Sequence, residues 1–122
     1  HNMDIQYLRA KIVHCIPIGT IFNNPGGGTT TIHKYSDNKL FYIRGKSEIS
    51  ISFEDIFNTY ITFKGKQVTT NDLKKYNNHF DSKARKPSGH DCNCTSLFMI
   101  LHRIALAEEI KKFGRSFGTV FY

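Results

Sequence analysis

The chain has 122 residues, a net charge of +7, three cysteines and no tryptophan. A length of this order supports one hydrophobic core and little more. Its most apolar stretch, Leu97 to Leu106, falls far short of the roughly 20 residues that a helical membrane span needs. No secretory leader pattern opens the chain, so a soluble, cytoplasmic protein without membrane partners is expected.

The charge is unevenly placed. Up to Thr62 there are six Lys/Arg against five Asp/Glu, and from Phe63 onward eleven against five, so +6 of the +7 falls in the second half. A field of one sign attracts polyanions by long-range steering and by counterion release at phosphates. Solubility alone would also account for a charge excess of this size. Cys15, Cys92 and Cys94 make an odd count whose only near pair is C-x-C, a spacing that bridges poorly, in agreement with a reducing compartment.

His1 and Asn2 precede Met3 and are left out of the fold reading. Asp4 to Pro17 carries two patterns at once. Ile5, Leu8 and Ile12 fit a helical stripe, but the β-rich end from Ile12 to Ile16 favours a strand running into Pro17. Gly19 to Phe22 and Asn23-Asn24-Pro25 then lead as a loop into Gly26-Gly27-Gly28-Thr29-Thr30-Thr31. Such a segment could cradle a phosphate, but it lacks the Lys and the helix of a P-loop and reads as a flexible hairpin loop.

From Thr29 to Ser52 the hydrophobic period is two. Ser36-Asp37-Asn38 and Gly45-Lys46 punctuate it, giving three antiparallel strands with one face on a core. At Ser52 the period changes. Ser52 is an N-cap, and Phe53, Ile56, Phe57, Tyr60 and Ile61 form the apolar face of a helix that ends near Gly65. A second helix starts at Thr69 or Thr70 and stops at Asn77-Asn78. A third is expected from about Thr95 to Lys112, ending at Gly114, with a terminal strand over Phe117 to Tyr122.

The fold class is therefore α+β, read as one domain over 3–122: sheet-rich over 5–52, helical over 53–113, and closed by a strand at 117–122. A small antiparallel sheet packed with three helices, the middle one short, resembles the layout of winged-helix and other helix-turn-helix modules. One feature opposes their usual docking. Leu97 to Leu106 is apolar around nearly the whole helix, so the third helix is buried and cannot read a groove.

The working part is placed in the stretch FDSKARKPSGHDCNCTSLF, Phe80 to Phe98. A polar cationic loop that feeds a buried helix sets unpaired backbone N–H groups beside positive side chains, a combination that attracts anions. Lys74, Lys75, Ser82, Lys83, Arg85, Lys86, Ser88 and Arg44 are the candidates for phosphate contacts. Asn71, His90, Asn93 and Phe80 are those for base or ligand recognition, Phe80 by stacking, with Tyr42, Tyr76 and His79 as further aromatic platforms and Arg103 as a further donor. The loop could also be a solvated connection whose charges do nothing specific.

Three chemistries compete with anion binding. His90, Cys92 and Cys94 could supply zinc ligands, with His14, Cys15, His33 or His79 as a fourth, but H-x-C-x-C is not a usual zinc spacing and its thiols face opposite ways. Otherwise Cys94 packs in the core and Asn93 or Thr95 caps the helix. A cysteine near a helix N-terminus with His90 and cations beside it has the setting of an activated thiol, yet nothing supplies the third group. Asp81, Asp91, Glu54 and Asp55 with Lys83 show no nuclease spacing. No motif implies a cofactor. The reading is a non-enzymatic binder of a phosphodiester ligand, double-stranded DNA first. The alternative is capture of a small anionic ligand, a nucleotide or cyclic nucleotide, between sheet and loop or at an oligomer interface; a metal- or thiol-dependent enzyme comes third.

Overall fold

A computed structural model describes residues 3–84 and 89–122, and shows an α+β chain that divides into two compact units, 1–62 and 63–122. The division falls where the charge changes, so the +6 half of the sequence is one unit. No helix among the described residues is long and apolar enough to cross a membrane.

The first unit opens with helix α1, Ile5–Cys15, where the sequence favoured a strand. Asp4 caps it, its carboxylate accepting the Tyr7 N–H at 2.8 Å. The helical stripe prevails over β-propensity because Leu8, Ile12 and Ile16, spaced by four, are all fully buried. Three hydrogen bonds tie α1 and its C-cap to the sheet and its turn: the Tyr35 hydroxyl donates to the Ile16 carbonyl at 2.6 Å, and Arg9 donates to the carbonyls of Ser36 and Asp37.

The sheet has four antiparallel strands in sequential order, β1 (Ile21–Asn23), β2 (Thr29–Tyr35), β3 (Lys39–Arg44) and β4 (Ser47–Ser52). The expected three-strand meander is present, and a short edge strand is added from residues read as loop. The glycine segment is the β1–β2 hairpin turn, closed by the Asn24 N–H on the Gly28 carbonyl at 2.9 Å. Register sets Tyr42 opposite both Ile32 and Ile49, and Leu40 opposite Ile51, so the buried side chains share one face. Helix α2, Phe53–Phe63, follows at once and begins where the Ser52 hydroxyl accepts the Asp55 N–H at 2.9 Å.

The second unit takes the end of α2 into β5 (Gln67–Thr69) and helix α3 (Thr70–Tyr76). Thr69 and Asp72 form a capping box: the Thr69 hydroxyl accepts the Asp72 N–H, and the Asp72 carboxylate accepts the Thr69 N–H at 2.8 Å. A 3₁₀ turn, Asn78–Phe80, precedes helix α4, Cys92–Arg103. The expectation of a helix to Lys112 is corrected here. Leu106 returns its N–H to the Leu101 carbonyl, Ala105 takes φ +63°, and the chain leaves as a hairpin of β6 (Lys111–Phe113) and β7 (Ser116–Val120). Gly114, read as a helix stop, opens the two-residue hairpin loop at φ +66°. The three strands are ordered β5-β7-β6, all antiparallel. Residues 96–101 of α4 are buried all round, as its apolar circumference implied.

Candidate anion-binding surface

The base of the 80–92 loop is held shut from both arms. On one arm the Lys83 N–H donates to the Asp81 carboxylate at 2.9 Å and the Ala84 N–H to the Asp81 carbonyl at 3.0 Å, closing a turn. On the other, the His90 N–H donates to the His79 carbonyl at 3.0 Å. Ser82 and Asp91 join the arms reciprocally: the Ser82 N–H donates to Asp91 Oδ1 at 2.6 Å, and the Asp91 N–H donates to Ser82 Oγ at 2.7 Å. Gly89 fits because it has no side chain; a Cβ there would collide with the Asn78 carbonyl oxygen.

Lys74, on the last turn of α3, reaches Asp91 Oδ2 at 3.4 Å. Partial burial of Asp91 works against ionisation, but the Ser82 N–H and the Lys74 ammonium outweigh it and hold the carboxyl below its ordinary value. The N-terminus of α4 is therefore not the open donor cluster anticipated. The Asn93 and Cys94 N–H groups bond the carbonyls of His90 and Asp91, and the anion beside them is the chain's own Asp91.

The remaining candidates separate by exposure. Lys75, Lys83, Asn71 and His90 are exposed, and Asn71 Nδ2 donates to Ser116 Oγ at 3.1 Å, joining α3 to the β6–β7 hairpin. Phe80 is fully buried and Asn93 is 3 % exposed, its amide 3.5 Å from the His79 carbonyl, so neither presents a face to a ligand as placed. Tyr42 is likewise in the core, whereas Tyr76 is half-exposed with its ring edge-on to Phe63. Arg44 lies in the first unit, where it donates to Thr30 Oγ1 and Asn24 Oδ1 and braces the β1–β2 turn. Arg85, Lys86 and Ser88 lie outside the described residues.

For the thiols the geometry gives a definite answer at one position. Cys94 is buried, its S–H faces the Phe80 carbonyl at 3.5 Å, and burial pushes its pKa up to about 12 despite the Lys74 charge nearby. A thiol so raised is neither a ready nucleophile nor a ready metal ligand. Among the described residues no three or more His, Cys, Asp or Glu side chains are grouped to hold a metal.

Sequence reasoning missed the hairpin cations. Lys111, Lys112 and Arg115 are exposed on β6 and its loop, Lys112 Nζ lying 5.2 Å from the centre of the Phe117 ring. The available signal was Lys-Phe-Gly-Arg-Ser-Phe, with Gly first in a two-residue loop and Phe113 and Phe117 on its two sides. The acids of this unit are used differently from its cations. Asp72, Asp81 and Asp91 each accept a backbone N–H, while Lys66, Lys75, Lys83, Lys111, Lys112 and Arg115 are exposed and, among the described residues, in no ion pair.

No protein-family model, no curated protein and no solved structure matches the chain.

Proposed function

We propose that this chain is a non-enzymatic binding module for a phosphodiester polyanion, duplex DNA first, and that its second unit carries the interaction. The observation behind this reading is the unequal use of charge. Three of the unit's five carboxylates are turned onto backbone N–H groups, and six cations of the same unit are left in solvent. A surface of that kind attracts phosphates and loses little internal bonding when it engages them.

The order of elements along the chain is that of a winged-helix-like module, which favours this reading. Helix, strand, helix, helix and hairpin follow one another from α2 to β7, and the last strand lies between the other two. In such modules the third helix enters the major groove. Here α4 is buried, so the contacts fall to the hairpin cations Lys111, Lys112 and Arg115, to Lys75 on α3 and to Lys83. Asn71 and His90 are the exposed groups available for base edges.

The reading is tested by anisotropy of a labelled random-sequence 20-base-pair duplex mixed with the full chain. Affinity should fall on the order of 10³-fold between about 50 and about 200 mM salt if six phosphates are contacted. A duplex left free at the lower salt, with a thermal shift on adding a mononucleotide, would replace polyanion binding by small-ligand capture.

A further inference from the structure

An acid beside a cationic surface opposes polyanion binding, and charge alone predicts that removing Asp91 strengthens it. The bonding around Asp91 argues the reverse. Ser82 and Asp91, nine residues apart, exchange two hydrogen bonds of 2.6 and 2.7 Å, and the next residue after Ser82 is Lys83. The turn carrying Lys83 is closed by Asp81 and packs closely on Gly89: a Cβ at Gly89 would stand 2.5 Å from the Asp81 carbonyl oxygen. Lys74 adds a third segment, since its ammonium holds Asp91 Oδ2 at 3.4 Å. One carboxylate thus ties α3, the turn at 81–84 and the start of α4.

From this geometry we infer that Asp91 is a positioning residue for Lys83: it gives up one unit of favourable charge and in return fixes the backbone from which Lys83 meets a phosphate. The inference rests on the polyanion-binding reading above. A cation on a backbone already ordered binds without the entropy loss of ordering that segment on contact. Ser82, an apparent phosphate donor, then has its main role within the clasp, its oxygen accepting from Asp91.

The test is a double-mutant cycle read by salt-dependent duplex binding of the full chain, with Asp91→Ala, Lys83→Ala and the pair, and Glu109→Ala as an exposed acid outside the clasp. Asp91→Ala should weaken binding and lower the slope of log K against log salt by about 0.9, the share of one phosphate contact. Glu109→Ala should strengthen binding, and in the Lys83→Ala background Asp91→Ala should cost nothing more. If circular dichroism shows Asp91→Ala unfolded, Ser82→Ala, which leaves the net charge alone, takes its place in the cycle. An Asp91→Ala protein that gains affinity as Glu109→Ala does, or one whose loss persists without Lys83, overturns the inference while the reading beneath it stands. A wild-type chain that leaves the duplex free overturns both.

Discussion

The Leu106 N–H meets the Leu101 carbonyl at 2.8 Å, a bond that closes the C-terminus of α4 on itself and turns the chain into the β6–β7 hairpin. The residue that makes the closure possible is Ala105, at φ +63°, a conformation for which glycine is the usual choice. Left-handed backbone costs an L-residue about 1 kcal/mol. Ala105→Gly should therefore raise stability by about that amount, seen as a melting temperature higher by about 4 °C. A lower melting temperature would mean that the Ala105 methyl contributes more than its backbone strain costs.

Asp91 gives the fold an acid limb. Its carboxyl is held below the ordinary 3.8 in the folded chain, against the effect of partial burial, by the Ser82 N–H and the Lys74 charge. A group with a depressed folded pKa contributes stability above its unfolded value and loses it as pH falls through the folded value. Urea midpoints measured from about pH 5 down to about pH 2 should fall more steeply for the wild type than for Asp91→Asn, the two curves converging at the acid end. Parallel curves would show that the clasp does not depend on the carboxylate charge.

Thiol reactivity should follow exposure and acidity. Cys15 is exposed, whereas Cys94 is buried with a pKa near 12. Iodoacetamide at mildly alkaline pH should label Cys15 in the native chain and reach Cys94 only in denaturant, as read by peptide mass spectrometry. Equal labelling rates in the native state would contradict the packing of Cys94 under Phe80.

In the central strand of the second sheet, Gly118 admits no larger residue without movement of backbone. A Cβ there would stand 2.6 Å from the Val68 carbonyl oxygen and 2.9 Å from Phe113 Cδ2. Gly118→Ala should destabilise the chain by about 1–3 kcal/mol in chemical denaturation. An unchanged midpoint would mean that β5 can move aside at no cost.

Much of this fold is legible in local chemistry. The Ser52 cap, the helix start at Thr69 or Thr70 and the alternation of Glu48, Ser50 and Ser52 against Ile49 and Ile51 are signals completed within a few residues, and each appears where the sequence placed it. The errors arise where two periodicities share one segment. Ile12 to Ile16 favours a strand by residue type, but the Asp4 cap and the spacing of Leu8, Ile12 and Ile16 commit it to α1. Past Arg103 the apolar run continues without a breaker, and only the left-handed Ala105 ends the helix, a conformation that alanine does not announce. The charge asymmetry along the chain coincides with the division into units. That Asp91 is consumed by Ser82 and Lys74, and that Phe80 and Asn93 face inward, depend on contacts between residues further apart, which no local pattern carries.

Exposed cations of the second unit, those of the β6–β7 hairpin among them, are the groups proposed to meet phosphates. The most direct test is the slope of log K against log salt for a 20-base-pair duplex, compared between the wild type and a Lys111→Ala, Lys112→Ala, Arg115→Ala triple variant whose circular dichroism is unchanged. The slope should be smaller by about 2.7 in the variant, three phosphate contacts at about 0.9 each. Equal slopes, or a wild type that does not bind at about 50 mM salt, where six contacts would bind strongly, would contradict the proposal.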